Sequence, residues 1–106
     1  VSSMASVRPG KNALPYAAAK AGLNAITIGF AQAYGPNVRV NGIVAGPFLT
    51  DISKAWDMES FEKRAEESIP LGRAGDPHEI VGAALYFASS ASSYTTGSLL
   101  QVAGGS

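Results

Sequence analysis

One long run of helix-forming residues constrains the fold of this chain more than any other feature. It extends from about Pro15 to Tyr34 and contains a single charged side chain, Lys20. Larger apolar residues recur within it at spacings of three and four, the period of an α-helix: Leu23, Ile26, Phe30 and Ala33. Because Ile28 and several alanines widen this stripe, we expect the helix to be buried on more than one side, against a sheet and against another helix.

Strands are predicted on both sides of this helix. The segment Gly35-Pro36-Asn37 is typical of a helix stop, and the β-branched residues from Val38 to Val44 then indicate a strand. Ser98 to Val102 indicates a closing strand, and the change from apolar to hydroxyl residues at Val1-Ser2-Ser3 is typical of a strand end. The alternation of strands and helices predicts an α/β fold.

Composition excludes several classes of partner. Of the 106 residues 46% are hydrophobic and 15% charged, which fits one packed domain at most. Eight basic residues balance eight acidic ones, so nucleic acid and anionic membranes are disfavoured as partners. There is no cysteine, and one histidine supplies no metal-ligand cluster, so we expect no metal site and a cytoplasmic location. The chain does not begin with methionine, and we expect it to be part of a longer protein.

Tyr16 and Lys20 form the first candidate site. They stand four residues apart near the start of the predicted helix, and side chains at this spacing lie on the same helix face. An ammonium group favours the ionised form of a nearby phenol. A tyrosine placed in this way can act as a general acid or base, although such a pair on its own is most often an ordinary surface feature.

Ser3 is the second candidate. A side chain at the carboxyl end of a parallel strand opens into the crevice where doubly wound sheets bind ligands. A hydroxyl there can donate a hydrogen bond to a carbonyl oxygen as that oxygen gains negative charge. On position alone, a serine that merely decorates a strand end is the simpler interpretation, and Ser2 is the alternative candidate.

Five blocks in order carry a resemblance to a known family: Ser2-Ser3, Tyr16-Ala-Ala-Ala-Lys20, the run from Arg39 to Asp51, the run from Ile69 to Ile80, and the run from Tyr94 to Gly105. This succession resembles the C-terminal half of a short-chain dehydrogenase/reductase, and especially the 3-oxoacyl-acyl-carrier-protein reductase type. The resemblance implies the C-terminal part of a Rossmann-like, doubly wound parallel sheet, present as a partial domain over residues 1–106. A glycine-rich dinucleotide-binding half is then expected upstream.

The resemblance also implies an activity. The family transfers hydride between NAD or NADP and a carbonyl or secondary alcohol, which here makes Tyr16 the general acid or base. Lys20 would assist Tyr16 and hold the nicotinamide ribose, and Ser3 would position the substrate oxygen. Arg39-Val40-Asn41 would lie in an interior strand, with Asn41 as a structural hydrogen-bonding residue. The family further implies a homo-oligomer, a dimer or tetramer, acting on a small molecule.

The cofactor loop departs from the family pattern. Ala45-Gly46-Pro47 stands where the family usually has Pro-Gly, while Gly46 and Thr50 keep the register. Glycine permits close approach of a ligand to the backbone, and Pro47 removes one backbone donor. By resemblance, Phe48 would offer its backbone to the nicotinamide carboxamide, and Thr50 its hydroxyl to the carboxamide or pyrophosphate.

The charged segment from Asp51 to Ile69 indicates one or two amphipathic helices and resembles the family's substrate-covering lid. Trp56, Met58 and Phe61 are therefore candidates for the substrate wall, or else they only anchor the lid to the body. Asp76-Pro77-His78-Glu79 predicts a capped helix start, with a buried face formed by Ile80, Val81, Ala84, Leu85, Phe87 and Ala88. Two alternatives stay open: a relative of sugar-nucleotide epimerases or dehydratases, and a fragment that only binds or oligomerises.

Overall fold

A parallel sheet forms the centre of the chain. The computed structural model describes residues 1–50 and 57–106. In these ranges the strands are β1 (Ser2–Ser3), β2 (Gly42–Ala45) and β3 (Leu99–Val102), in the order β1-β2-β3. Both pairings are parallel, with Ser3 opposite Ala45 and Ala45 opposite Val102. The three carboxyl ends therefore meet at one edge, which confirms the predicted α/β architecture.

Helices connect the strands. They are α1 (Leu14–Tyr34), α2 (Met58–Ser68) and α3 (Val81–Ala88). The bounds of α1 confirm the prediction to within one residue, and α2 begins where the Asp57 side chain accepts a hydrogen bond from the Ser60 N–H. Within the ranges the structure covers, no helix combines the length and apolar character needed to cross a membrane.

The face of α1 that packs on the rest of the chain is not the predicted apolar stripe. The buried residues are small or polar: Ala17, Asn24, Thr27 and Ala31. Ile26 and Phe30 are exposed instead, at 51% and 47%. Thr27 packs over Gly42 of β2, where a Cβ would lie 3.6 Å from the Thr27 methyl group, so a small residue of the helix faces the glycine of the strand. Packing of the apolar face against another helix stays a prediction.

The second strand begins later than predicted. Residues 38–41 lie before β2 and are not part of a strand. Their polar groups bond instead to the segment that leads into β3. Asn41 donates to the Thr95 carbonyl at 2.9 Å and accepts from the Ser98 N–H at 3.0 Å. The expected strand position of Arg39-Val40-Asn41 is therefore wrong, whereas the structural role of Asn41 is confirmed.

Arg39 closes the end of α3. Its guanidinium donates to the Phe87 carbonyl at 3.1 Å and to the Ser92 hydroxyl at 2.8 Å. Ser92 is fully buried and itself donates toward the Phe87 and Ser89 carbonyls. The last carbonyl groups of a helix have no partners within it, so Arg39 supplies donors that the helix lacks.

The start of α3 is capped as predicted, but its buried face differs. Asp76 and Glu79 form the capping box, and the turn Pro77–Ile80 is a 3₁₀ helix that leads into α3. Val81 and Leu85 are exposed, at 48% and 63%, and Ala84 and Ala88 are exposed as well. The described residues cover α3 on one side only, where Ile80, Ala83 and Phe87 are half-buried. Of the six residues predicted to be buried, only Ile80 and Phe87 lie on this side, so most of that prediction is wrong.

Replacement of Arg39 is expected to destabilise the protein that carries this chain. Arg39→Met removes hydrogen bonds from a charged donor and leaves carbonyl groups unpaired, which costs about 2–3 kcal/mol of unfolding free energy. Arg39→Lys keeps the charge without the planar fork and is expected to lose an intermediate amount. Urea unfolding measures the difference, with Arg8→Met on the exposed loop as control. A loss no larger for Arg39→Met than for Arg8→Met would contradict the capping role.

Candidate active site

Tyr16 and Lys20 lie together on the first turns of α1. Pro15 occupies the first turn, where its missing N–H leaves no bond unmade. The Lys20 Nζ is 5.8 Å from the centroid of the Tyr16 ring, within the range of a cation–π contact. It also donates to the Val1 carbonyl at 3.2 Å. Tyr16 is 52% exposed, so the described residues leave this part of α1 open to solvent.

Ser3 and Ser2 have different surroundings at the end of β1. Ser2 is 5% exposed, and its hydroxyl donates to the Lys20 carbonyl at 3.2 Å, which fastens β1 to α1. The half-buried Ser3 accepts a hydrogen bond from the Ala5 N–H at 3.2 Å. Its hydroxyl proton has no acceptor among the described residues, so Ser3 is the serine that can donate to a ligand.

Two polar residues that are not among the predicted site residues lie beside Ser3. The Ser6 hydroxyl donates to the Ser3 carbonyl, and the Asn24 amide of α1 donates to Ser6. The sequence contains a signal for Asn24, which stands four residues after Lys20 and so lies on the same helix face. It contains no such signal for Ser6. The contact with Ser6 depends on the turn after β1, which local sequence did not predict.

Gly46 lies where two strand ends come together. A Cβ at Gly46 would stand 2.6 Å from the Ala103 Cα, and the Gly46 N–H donates to the Val102 carbonyl at 2.9 Å. Packing against the chain after β3 therefore requires glycine here. The predicted reason for this glycine is the approach of a cofactor, which stays a prediction, and the structure adds a contact within the chain that requires it.

The loop after Gly46 is held by Gly75. The Leu49 N–H donates to the Gly75 carbonyl at 2.9 Å, and the Gly75 N–H donates to the Pro47 carbonyl at 3.0 Å. In a parallel bridge of this kind the central residue, Phe48, directs its own N–H and C=O to the opposite side. The Phe48 ring covers Gly75, where a Cβ would lie 2.6 Å from the ring. Thr50 follows on an exposed part of the loop.

An ion pair fixes the segment that holds Phe48. The two guanidinium nitrogens of Arg73 donate to the two carboxylate oxygens of Glu79, both at 2.8 Å. These bonds, together with one from the Asp76 N–H, lower the pKa of Glu79 from 4.5 to about 2. The pair joins residues on the two sides of Gly75 and so spans the turn that contacts Phe48.

Cavities surround the Phe48 loop and α2. One of about 170 Å³ lies between Phe48 and the end of β3. Phe61 lines two others, of about 280 and 480 Å³, while Met58 is half-buried at the start of α2. Trp56 lies outside the described residues. None of these cavities is lined by Ser3, Tyr16 or Lys20.

Comparison with known proteins decides the family. Residues 1–106 match the family described as Enoyl-(Acyl carrier protein) reductase. The 3-oxoacyl-[acyl-carrier-protein] reductase of Chlamydia trachomatis is 41% identical over 110 residues, covering 99% of this chain and 42% of that protein. The chain belongs to the short-chain dehydrogenase/reductase family.

Solved structures agree with this assignment. A 7 alpha-hydroxysteroid dehydrogenase complexed with NADH and 7-oxo glycochenodeoxycholic acid superposes with a TM-score of 0.91 at 36% identity, over 99% of this chain and 42% of that one. A small-chain dehydrogenase in complex with NADPH gives a TM-score of 0.87 at 31% identity, over 98% of this chain and 48% of that one. The chain is thus part of a Rossmann-like short-chain dehydrogenase/reductase domain and spans 42% of the length of its first relatives.

Proposed function

We propose that this chain carries the catalytic residues of an NAD- or NADP-dependent oxidoreductase that interconverts a carbonyl and a secondary alcohol. The observation that carries the proposal is the Lys20 ammonium against the exposed Tyr16 ring, in a chain of this family. Tyr16 gives a proton to the substrate oxygen during reduction and takes it back during oxidation. Lys20 lies against the Tyr16 ring and is assigned to hold the nicotinamide ribose.

Ser3 stabilises the substrate oxygen. Its hydroxyl accepts from the Ala5 N–H, and this bond leaves the proton to be donated to a ligand. A donor fixed in advance at the position where negative charge develops lowers the barrier, and removal of one such donor typically costs about 10²–10³ in rate. Ser3 and Tyr16 would thus act on the same oxygen, one as a hydrogen-bond donor and the other as a proton donor.

The described residues fit a nicotinamide cofactor by the chemistry of their donor set. A carboxamide offers both a donor and an acceptor, and Phe48 directs an N–H and a C=O away from Gly75. Thr50 provides a hydroxyl on the same loop, and Lys20 an ammonium for the ribose hydroxyls. When bound, the cofactor supplies or accepts the hydride. The residues of this chain orient it and move the proton.

The substrate is proposed to be a small carbonyl compound or alcohol covered by α2. Phe61 lines two cavities, and Met58 is half-buried at the start of the same helix. We assign the substrate wall to these two residues together with Trp56. Family resemblance also supports a cytoplasmic homo-oligomer, a dimer or tetramer in which the exposed apolar side of α1 meets another helix.

Titration of the full-length protein with NADH and NADPH tests the cofactor role. Calorimetry is expected to show micromolar binding of one or both. Gly46→Ala is expected to weaken this binding at least about tenfold, because the added Cβ meets the Ala103 backbone and must displace the Phe48 loop. Gly22→Ala is the control, since a Cβ at Gly22 meets open space. Absence of binding to either cofactor by the folded wild-type protein would refute the proposal.

A further inference from the structure

A chain of hydrogen bonds links α1 to the candidate oxyanion donor. Asn24 is only 8% exposed, and its amide nitrogen donates to the Ser6 hydroxyl at 2.8 Å. Ser6 in turn donates to the Ser3 carbonyl at 2.5 Å. Ser3 and Ser6 are connected by the short 3₁₀ turn Met4–Ser6. One bond therefore fastens Ser6 to the helix, and the other ties Ser3 to Ser6 across the turn.

The direction of these bonds is fixed by proton counting. A serine hydroxyl has one proton, and that of Ser6 goes to a carbonyl, which can only accept. The Asn24 atom at 2.8 Å from Ser6 must then be a donor, which assigns it as the amide nitrogen. The Asn24 Oδ1 is left buried, without a hydrogen-bond partner among the described residues.

This arrangement is a poor design for stability alone. A buried acceptor without a partner is costly, and an apolar side chain of similar shape at the same place avoids the cost. Asn24 is also in line with the reaction groups, because Tyr16, Lys20 and Asn24 follow one another at intervals of four residues on one face of α1. One helix therefore holds Tyr16 directly and Ser3 through Asn24 and Ser6.

We propose that Ser6 and Asn24 are positioning residues, which hold the Ser3 hydroxyl at the substrate oxygen in register with the Tyr16 hydroxyl. Neither contacts the substrate. Their bonds set the backbone of Ser3, and through it the direction in which the Ser3 hydroxyl points. The inference rests on the proposed function, since it requires Ser3 and Tyr16 to act on one oxygen.

Kinetics of single and double variants in the full-length protein test the inference. Ser6→Ala and Asn24→Leu are each expected to lower kcat by about ten- to a hundredfold, since small displacements of a reacting group have effects of this size. The KM for the cofactor stays unchanged, because Ser3 does not hold it. Thr27→Val is the matched control: Thr27 is 7% exposed on the same helix, and among the described residues its hydroxyl bonds to the Leu23 carbonyl of α1 alone.

The decisive measurement is made in the Ser3→Ala background. If Ser6 acts through Ser3, the Ser3→Ala/Ser6→Ala double variant has the kcat of Ser3→Ala alone, because groups that act as a unit are non-additive. A purely structural role for Ser6 lowers kcat by the same factor in both backgrounds and overturns the inference. So does a Ser6→Ala protein with the wild-type kcat. If Asn24→Leu does not fold, the two serine variants still decide.

The proposed function fails in a different way. If Tyr16→Phe retains wild-type turnover, the acid–base role is wrong whatever Ser6 does. If Tyr16→Phe is inactive while Ser6→Ala and Asn24→Leu match Thr27→Val, the proposed function stands and the positioning inference is refuted.

Discussion

Tyr16→Phe in the full-length protein is expected to abolish carbonyl reduction while leaving cofactor affinity nearly unchanged. The substitution removes one hydroxyl and keeps the ring that lies against Lys20. A general acid or base contributes typically about 10²–10⁴ in rate, and the loss of kcat should fall in or above this range. Steady-state turnover measures the loss, and calorimetric titration with NADH or NADPH measures the affinity.

A second tyrosine on the same helix provides a close control. Tyr34 is 53% exposed, against 52% for Tyr16, and packs edge-on against Phe30. Tyr34→Phe removes an equally accessible hydroxyl from the far end of α1 and should leave kcat unchanged. Turnover of Tyr16→Phe within about tenfold of the wild type would be too high for loss of a general acid.

Lys20→Ala is expected to damage both turnover and cofactor binding. The ammonium group lies against the Tyr16 ring, and we assign it to the nicotinamide ribose as well. Loss of turnover should reach about 10²-fold or more, the lower end of the range for acid–base catalysis. Loss of a charged hydrogen-bond donor should weaken cofactor binding at least about tenfold. Titration and turnover of the same preparation separate the two effects.

Lys11→Ala is the control for this substitution. Lys11 is exposed on the loop before α1, so its removal changes the net charge by the same amount without touching Tyr16. Equal effects of the two lysine variants would indicate a general charge effect. Weakened cofactor binding by Lys20→Ala with unchanged kcat would leave Lys20 as a binding residue only.

The bounds of α1 and the capped turn before α3 were predictable because they depend on local chemistry. Pro15 in the first turn and Gly35-Pro36 at the end delimit α1, and the capping box of Asp76 and Glu79 marks the turn before α3. The spacing of Tyr16 and Lys20 likewise sets their common face without reference to any other part of the chain. Such features require only the backbone geometry of a helix.

The buried faces were not predictable in the same way. The spacing of apolar residues indicated Ile26 and Phe30, yet α1 packs through Ala17 and Thr27, with Thr27 lying over Gly42 of β2. On α3 the spacing of apolar residues predicted that Leu85 is buried, but Leu85 is exposed. Periodicity finds the apolar side of a helix, but it does not show which side a close-packed sheet accepts.

Contacts between distant residues account for the remaining differences. Arg39 and Asn41 read as part of a strand, but they bond to residues of the segment 87–98, more than forty positions away. The glycine at position 46 is required by Ala103, and Ser6 gains its role only because the turn after β1 faces Asn24. Each of these partners depends on the tertiary fold, which the local pattern does not contain.

Transfer of isotope from the cofactor tests the central claim most directly. The full-length wild type, Tyr16→Phe and Tyr34→Phe are each incubated with nicotinamide cofactor deuterated at the transferable position and with ketones of the acyl thioester and steroid classes. Mass spectrometry then measures deuterium on the carbinol carbon. We expect label in the alcohol formed by the wild type and by Tyr34→Phe, and none above background with Tyr16→Phe. Equal label with Tyr16→Phe, or a wild type that binds the cofactor and transfers no label to either ketone, would contradict the account.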